Sequence, residues 1–250
     1  MDKNIILTSV KKLKEISPKR NFAQSFDLVI NLQEIDLKKP EQKVDSFLPL
    51  HYSKGKIPKI CALVDQELGT ESKKVFDKTI LKEEFPEYND KKTLKKLGIE
   101  YDFFVAQANL MAQIAATFGK VLGPKGKMPN PKAGCIITPD SNLEQLKNRL
   151  QNLVHLQLKN DATIRVVVGN EKIPDEEIAD NIFTIYNSLI HSLPQEKNNI
   201  KSILLKFTMG PVVLITDKGP LVKEKKEEVK EKVPKKAKIT KKQKEELKQE

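Results

Sequence analysis

The sequence predicts a protein of mixed α/β and α+β class, with two domains, one of which is assembled from both ends of the chain. Strand-like and helix-like segments alternate between residues 57 and 158, which favours a mostly parallel sheet covered by helices. Residues 1–55 contain too few strands to close a sheet alone. The segment that follows residue 159 supplies two strands and a helix, so it can complete that sheet.

The first 55 residues contain one helix and one strand. Apolar residues recur at helical spacing in residues 3–16, which predicts an amphipathic helix that Ser17-Pro18 ends. Residues 25–32, SFDLVINL, are rich in β-formers and are predicted as a strand. A polar loop follows from about Gln33. The flexible stretch Ser-Lys-Gly-Lys then marks a domain crossing near residues 54–56.

The inserted segment, residues 56–158, shows the regular alternation. Asp140 is predicted to cap its last helix because its carboxylate can accept from free backbone N–H groups. In order, the pattern predicts a strand at 59–64, a helix near 70–75, a strand near 78–81, a helix at 90–97, a strand at 101–106, a helix at 108–118, a loop at 119–134, a strand at 135–138 and a helix at 141–152.

The last folded segment contributes a strand in ATIRVVVG, a helix over residues 175–193 and a strand in SILLKFTM. Ile178, Ile182, Ile185 and Leu189 form one apolar stripe on that helix. The predicted domains are therefore 1–55 plus 159–222, with 56–158 inserted. Two chain crossings at one place would form a hinge.

The charge of the chain indicates an anionic partner. Its formal net charge is +11, of which residues 223–250 hold 12 Lys against 7 Glu. This Lys/Glu tail cannot bury apolar surface and is predicted to be disordered or transiently helical, either as a solvated tail or as a non-specific contact with RNA phosphates. Only three arginines occur in the chain, which disfavours a DNA-groove reader built on bidentate Arg.

No pattern in the sequence predicts an enzyme, a cofactor or a metal site. Cys61 and Cys135 stand apart, as expected for small buried residues in a reducing compartment, and the three histidines form no catalytic motif with a neighbour. We expect no secretory signal, because the N-terminus acquires charge too early, and no membrane span. The sequence therefore predicts a soluble intracellular protein.

The Gly/Pro/Lys loop at 119–134 lacks the spacing of a phosphate-binding loop, since Met128 follows Gly126-Lys127 where Ser or Thr is required. It carries Lys120, Lys125, Lys127 and Lys132. From residue chemistry alone it is equally a structural loop or a cationic surface for an RNA backbone.

The segment KFTMGP at 206–211 ends a strand with a hydroxyl, a thioether and a glycine. Gly210 would let the backbone approach another surface closely, and Thr208 could bond phosphates or 2′-hydroxyls. An ordinary strand-ending turn is the alternative. The segment from Arg20 to Ser25 places Phe22 beside polar residues, which suits stacking on a sugar or base, or else a core Phe in a loop.

Taken together, several segments resemble the large-subunit ribosomal protein one family, the "L-one" stalk protein, in its archaeal type. They are RNFAQSFDLVINLQEIDLKKPE, DFFVAQANLM, LGPKGKMPNPKAG, VGNEKIPDEEIADNI and KFTMGP, in the family's order. The resemblance implies a split α+β domain and an inserted Rossmann-like three-layer α/β domain. It also implies a cytoplasmic protein of the large ribosomal subunit that is not an enzyme.

The resemblance further implies partners. They are large-subunit rRNA at the mobile side stalk, deacylated tRNA leaving the exit site, and the protein's own mRNA, whose translation it would repress. Carried over to this sequence, the main RNA-binding residues would be Phe22, Gln24, Ser25, Gly169, Asn170, Thr208, Met209 and Gly210. Auxiliary RNA contacts would come from Arg20, Arg165, Lys125, Lys127 and Lys132. A ribosome-assembly factor that carries the same RNA-binding domain is the alternative.

Overall fold

The computed structural model describes residues 2–36, 39, 42, 44–139, 141–158, 161–216 and 219–223. Helices and strands alternate along most of this length. They are α1 (Lys3–Ile16), β1 (Ser25–Leu32), β2 (Asp45–Pro49), β3 (Ile60–Val64), α2 (Gln66–Val75), β4 (Lys78–Leu81), α3 (Lys91–Glu100), β5 (Phe103–Gln107), α4 (Met111–Lys125), β6 (Ile136–Ile137), α5 (Leu143–Asn152), β7 (Leu153–Gln157), β8 (Thr163–Asn170), α6 (Asp175–Ser192), β9 (Ile200–Phe207), β10 (Val212–Thr216) and β11 (Gly219–Lys223).

The two chain ends share one antiparallel sheet, with strand order β11-β10-β9-β1-β8. Every second residue of β1 is buried, so one face of this sheet packs against helices. Helices α1 and α6 cover that face, and the predicted apolar stripe of α6 is confirmed, with all four residues fully buried. Residues on the opposite face of the sheet are half-buried or exposed, and Arg165 and Val167 of β8 are among the exposed ones.

The segment between these ends forms a four-stranded parallel sheet, in the order β4-β3-β5-β6. All of β3 is buried, because helices lie on both faces of the sheet. On one face α3 and α4 pack around Phe118, and on the other α2 and α5 pack around Leu150. This three-layer arrangement confirms the predicted mixed class of the fold.

A two-stranded antiparallel ribbon, β2 with β7, lies where the chain passes between the two sheets. Phe47 and His155 are cross-strand partners whose rings stack 4.2 Å apart, and His155 Nε2 lies 2.6 Å from Asp45 Oδ1. One buried apolar cluster is built from residues up to Leu50 and from Val154 onward, and two others come from the residues between. We propose that these sets are the two domains expected from the sequence, with boundaries near residues 55 and 153, because Val154, Leu156 and Leu158 pack in the first cluster.

The helix predicted at 108–118 continues to Lys125, so the loop predicted at 119–134 begins only at Gly126. Gly126 adopts φ of 67°, its N–H donates to the Gly123 carbonyl, and the N–H of Lys127 donates to the Leu122 carbonyl. These two bonds complete a Schellman ending. The prediction of an extended loop was wrong here because Pro124 and the preceding glycines are tolerated in the exposed last turns of the helix.

Other local expectations need smaller corrections. The Asp140 cap lies outside the described residues, and Asn142 caps α5 by accepting from the N–H groups of Glu144 and Gln145. Strand β2 and the hairpin of β10 and β11 were not predicted. Most of the Lys/Glu tail also falls outside the described part of the chain.

The cysteines are confirmed as buried, unpaired residues. Burial raises the pKa of the Cys61 thiol to about 12 and that of Cys135 to about 11, despite a nearby lysine and arginine respectively. At neutral pH both thiols are therefore protonated and unreactive as nucleophiles.

Phe118 of α4 is fully buried in the apolar layer that α3 and α4 form against the parallel sheet. Its ring makes an edge-to-face contact with the ring of Phe85 at a centroid separation of 5.4 Å. Phe118→Ala should lower the free energy of unfolding by about 3–5 kcal/mol, because it removes a fully buried ring and leaves a cavity. Gln113→Ala, at an exposed position of the same helix, should change it by less than about 0.5 kcal/mol. Urea unfolding measures both, and equal losses would contradict this packing.

Candidate nucleic-acid interface

The register of the antiparallel sheet gathers the sequence-predicted residues at one edge. Because β1 runs antiparallel to both β8 and β9, its first residues meet the last residues of those two strands. Ser25 lies opposite Asn170, and Phe26 lies opposite both Gly169 and Phe207. We call this edge the strand-end face. Its members are Arg20, Phe22, Gln24, Ser25, Gly169, Asn170, Thr208, Met209 and Gly210.

Hydrogen bonds fix the turn after β9 onto the start of β1. The backbone N–H of Thr208 donates to the Ser25 carbonyl at 3.1 Å, and the Thr208 hydroxyl donates to the same oxygen at 3.3 Å. The guanidinium of Arg20 donates to the Met209 carbonyl at 3.4 Å. Segments about 190 residues apart in sequence are thereby held together.

Two large apolar side chains on this face point to solvent, since Phe22 is 54% exposed and Met209 is 62% exposed. Gln24 is different. It is 1% exposed, so the structure places its side chain inside the protein and not on the surface where it was expected. Its backbone is fixed by Glu171, whose N–H donates to the Gln24 carbonyl at 2.9 Å.

The two glycines of the face lie in close contact with side chains of the protein itself. A Cβ on Gly210 would lie 2.9 Å from Phe207 Cβ and 3.3 Å from Ser17 Oγ. A Cβ on Gly169 would lie 3.1 Å from a methylene of Ile178 on α6. The space that the missing side chain of Gly210 leaves is therefore already occupied by Phe207 and Ser17 of the same chain.

Three buried oxygens at this edge have no hydrogen-bond partner among the described atoms. They belong to Ser17, Gln24 and Asn170. Leaving such a group unpaired costs about 1–3 kcal/mol. Native proteins keep few of them.

Arg165 lies beside the strand-end face, although it is not part of it. It is exposed on β8 opposite Val29 and lines a cavity of about 360 Å³ together with Ser25 and Lys54. The Lys54 ammonium donates to the Leu153 carbonyl at 2.6 Å. Burial lowers the pKa of Lys54, with Asp102 acting in the opposite direction.

The remaining auxiliary residues lie on the parallel-sheet part of the molecule. Lys125 donates to the Lys95 carbonyl at 3.1 Å, and Lys132 is exposed in a short turn. Lys127 donates to the Tyr101 carbonyl at 2.7 Å, so its ammonium is largely engaged by the protein. No hydrogen bond or ion pair among the described residues joins these three lysines to the strand-end face.

Sequence reasoning missed Ser17 and Lys54 as neighbours of this surface. Neither position has a local pattern that reveals it, because each is brought there by a long-range contact. Among the described residues, no group of three or more His, Cys, Asp or Glu side chains could hold a metal ion. No described helix is both long and apolar enough to span a bilayer.

Comparison with known proteins shows that the chain is a ribosomal protein, because the sequence model of a ribosomal protein family matches residues 11–211. The chain belongs to the ribosomal protein L1p/L10e family. Members of this family are structural proteins and not enzymes, which confirms the expectation from the sequence.

Archaeal proteins named large ribosomal subunit protein uL1 are among the chain's relatives. The one from Nanoarchaeum equitans is 40% identical over 215 residues, covering 84% of this chain and 99% of the relative. Those from Methanothermobacter thermautotrophicus and Methanocaldococcus jannaschii are 38% and 36% identical, covering 84% and 86% of this chain and 98% and 96% of the relatives. The archaeal-type resemblance is thereby confirmed.

A pair of glycine substitutions tests the packing of the strand-end face. Gly210→Ala should lower the free energy of unfolding by about 1–3 kcal/mol, because the new Cβ overlaps Phe207 at the root of its side chain. Gly119→Ala in α4 should raise it by about 0.5–1 kcal/mol, since a Cβ there meets nothing within 4 Å and alanine favours a helix. Chemical denaturation gives both values, and a neutral Gly210→Ala would contradict the close contact.

Proposed function

We propose that this chain is a structural protein of the large ribosomal subunit and that it binds large-subunit rRNA through the strand-end face. Family membership and the names of the archaeal relatives support the first part. The observation that carries the second part is the register of β1 with β8 and β9, since it brings every main residue expected from the sequence to one edge.

The chemistry of this face favours recognition of RNA shape over a purely electrostatic grip. Residues 1–55 and 159–222 together hold 17 basic and 15 acidic residues, so their net charge is close to zero. Arg20 is the one cationic member of the strand-end face. Specific binding must therefore depend on hydrogen bonds and stacking more than on phosphate neutralisation.

Phe22 and Met209 supply the exposed apolar surface for that contact. An exposed ring can stack on a ribose or an unstacked base, and a thioether side chain adapts its shape to an irregular surface. Thr208 already donates its hydroxyl hydrogen to the Ser25 carbonyl, so it would offer its free lone pair to a 2′-hydroxyl of RNA. Gln24 would act indirectly, by positioning the backbone beneath the face.

The finer parts of the proposal follow from the resemblance to the family. The rRNA that it binds belongs to the mobile side stalk of the large subunit. Movement of this stalk assists the release of deacylated tRNA from the exit site. The same surface binds a mimic of that rRNA site in the protein's own mRNA and represses its translation. The protein works in the cytoplasm as part of the ribosome. That the archaeal relatives are named as subunit proteins supports this role over that of an assembly factor.

Two substitutions on the face test the proposal. Thr208→Ala and Met209→Asp should each weaken binding to a large-subunit rRNA fragment by about 1–3 kcal/mol, through a lost hydrogen bond and a misplaced negative charge respectively. Filter binding or calorimetry at fixed salt gives the affinities, and circular dichroism checks that each variant is folded.

Leu221→Asp is the matched control for Met209→Asp. Leu221 is 57% exposed on β11, at the far edge of the same sheet, so the same change in charge and polarity should leave rRNA affinity unaltered. Equal affinity of the wild type, Thr208→Ala and Met209→Asp would rule out the strand-end face as the binding surface. Equal weakening by Leu221→Asp would point to a general effect of charge instead.

A further inference from the structure

Helix α3 presents four lysines on one side. Lys91, Lys92, Lys95 and Lys96 are all exposed, whereas Leu94 and Leu97 face the core. At 3.6 residues per turn these lysines fall within an arc of about 140°. Near the middle of that arc lies Ile99, which is 73% exposed. We call this surface the α3 lysine face.

Packing against α4 extends the positive surface and holds α3 in place. Lys125, in the last turn of α4, donates to the Lys95 carbonyl at 3.1 Å. A Cβ on Gly98 would lie 3.2 Å from the Lys125 ammonium and 3.3 Å from Leu122, so the two helices approach closely. Lys120 of α4 is also exposed. The lysines therefore project from a rigid two-helix layer.

The arrangement of charge on α3 opposes the stability of the helix. Its first turn carries Lys91 and Lys92 and its last residue is Glu100, which is the reverse of what the helix dipole favours. Two like-charged pairs at i,i+4 spacing, 91 with 95 and 92 with 96, are also unfavourable. By contrast, α2 has Glu67 in its first turn and lysines in its last. The Asp90 cap offsets this only in part, and a local rule broken in this way is typical of a functional surface.

No ion pair among the described residues neutralises a lysine of this face, although Glu84 and Glu87 lie in the segment that packs against the start of α3. None of its four lysines lies within 4.0 Å of a described carboxylate oxygen. The one carboxylate at the start of the helix, Asp90, caps it by accepting from the backbone N–H of Lys92. Four unpaired ammonium groups on one rigid surface fit a repeating anion, and lysine binds phosphate as a point charge.

We infer that the α3 lysine face is a second RNA-binding surface, which contacts the phosphate backbone of an RNA helix without regard to base sequence. It is separate from the strand-end face, because it belongs to the layer of α3 and α4 on the parallel sheet. The two surfaces contribute to RNA binding in different ways. The strand-end face, nearly neutral, recognises shape, and the α3 lysine face supplies the salt-dependent attraction that the first surface lacks.

RNA is favoured over other anionic partners by the composition of the face. A membrane surface would require several apolar side chains beside the lysines, and Ile99 stands alone among them. An acidic protein would be matched by arginine and aromatic residues, which are enriched at protein interfaces, and the α3 lysine face has neither.

The full chain tests this inference, with a short RNA duplex of arbitrary sequence as the probe. In Lys91→Gln/Lys92→Gln/Lys95→Gln/Lys96→Gln, the slope of log Kd against log salt should fall by about two to four units. The thermal unfolding midpoint should stay level or rise, because the like-charge pairs are gone. Affinity for the large-subunit rRNA fragment at high salt should be retained, since that contact is made by the strand-end face.

A matched pair of double variants removes the effect of net charge. Lys95→Gln/Lys96→Gln should lower the slope by about one to two units, whereas Lys73→Gln/Lys74→Gln, on the opposite face of the parallel sheet, should leave it unchanged. Equal slopes for the wild type and the fourfold variant would overturn the inference. Failure of the wild type to bind the rRNA fragment would instead count against the proposed function.

Discussion

The structure depends on the pairing of β1 with two strands that lie more than 130 residues away in sequence. Strand β1 is the fourth of five in its sheet and forms ladders with β8 on one side and β9 on the other. Its alternate residues Phe26, Leu28 and Ile30 are buried beneath α1 and α6. A shift of one residue would expose all three, so the buried face fixes the register. The same register determines which residues meet at the edge where the strands begin and end.

That edge combines features that rarely improve stability. Exposed apolar side chains, unpaired buried oxygens and glycines in close contact occur within a few residues of one another. The exposed apolar side chains and the unpaired oxygens are unfavourable by themselves, and all three features are compatible with a surface shaped for a partner. The hydrogen bonds from Thr208 and Arg20 keep this surface rigid, which limits the conformational entropy lost on binding.

The inserted parallel sheet reaches stability in another way. Its strands are buried on both faces because helices cover them. The surface of this part of the molecule carries most of the net positive charge of the described residues. The β2–β7 ribbon connects the two parts, with the Phe47–His155 stack at its centre. We propose on this basis that shape recognition and electrostatic attraction belong to separate parts of one molecule.

The sequence by itself determined the class of the fold, most of the helices and strands, and the family. Hydrophobic periodicity and short sequence motifs are local properties, so they can be recognised without the tertiary structure. Prediction from the sequence failed where packing in the folded protein overruled the local preference of the residues. Pro124 and its glycines predicted a loop, yet α4 buries its own Phe118 and Leu122 in the apolar core, and the helix continues to Lys125. It could not determine that Gln24 is buried, that Gly210 contacts Phe207 and Ser17, or that the lysines of α3 remain unpaired. Those facts depend on contacts between residues far apart in the chain, and only the tertiary structure decides which of them meet.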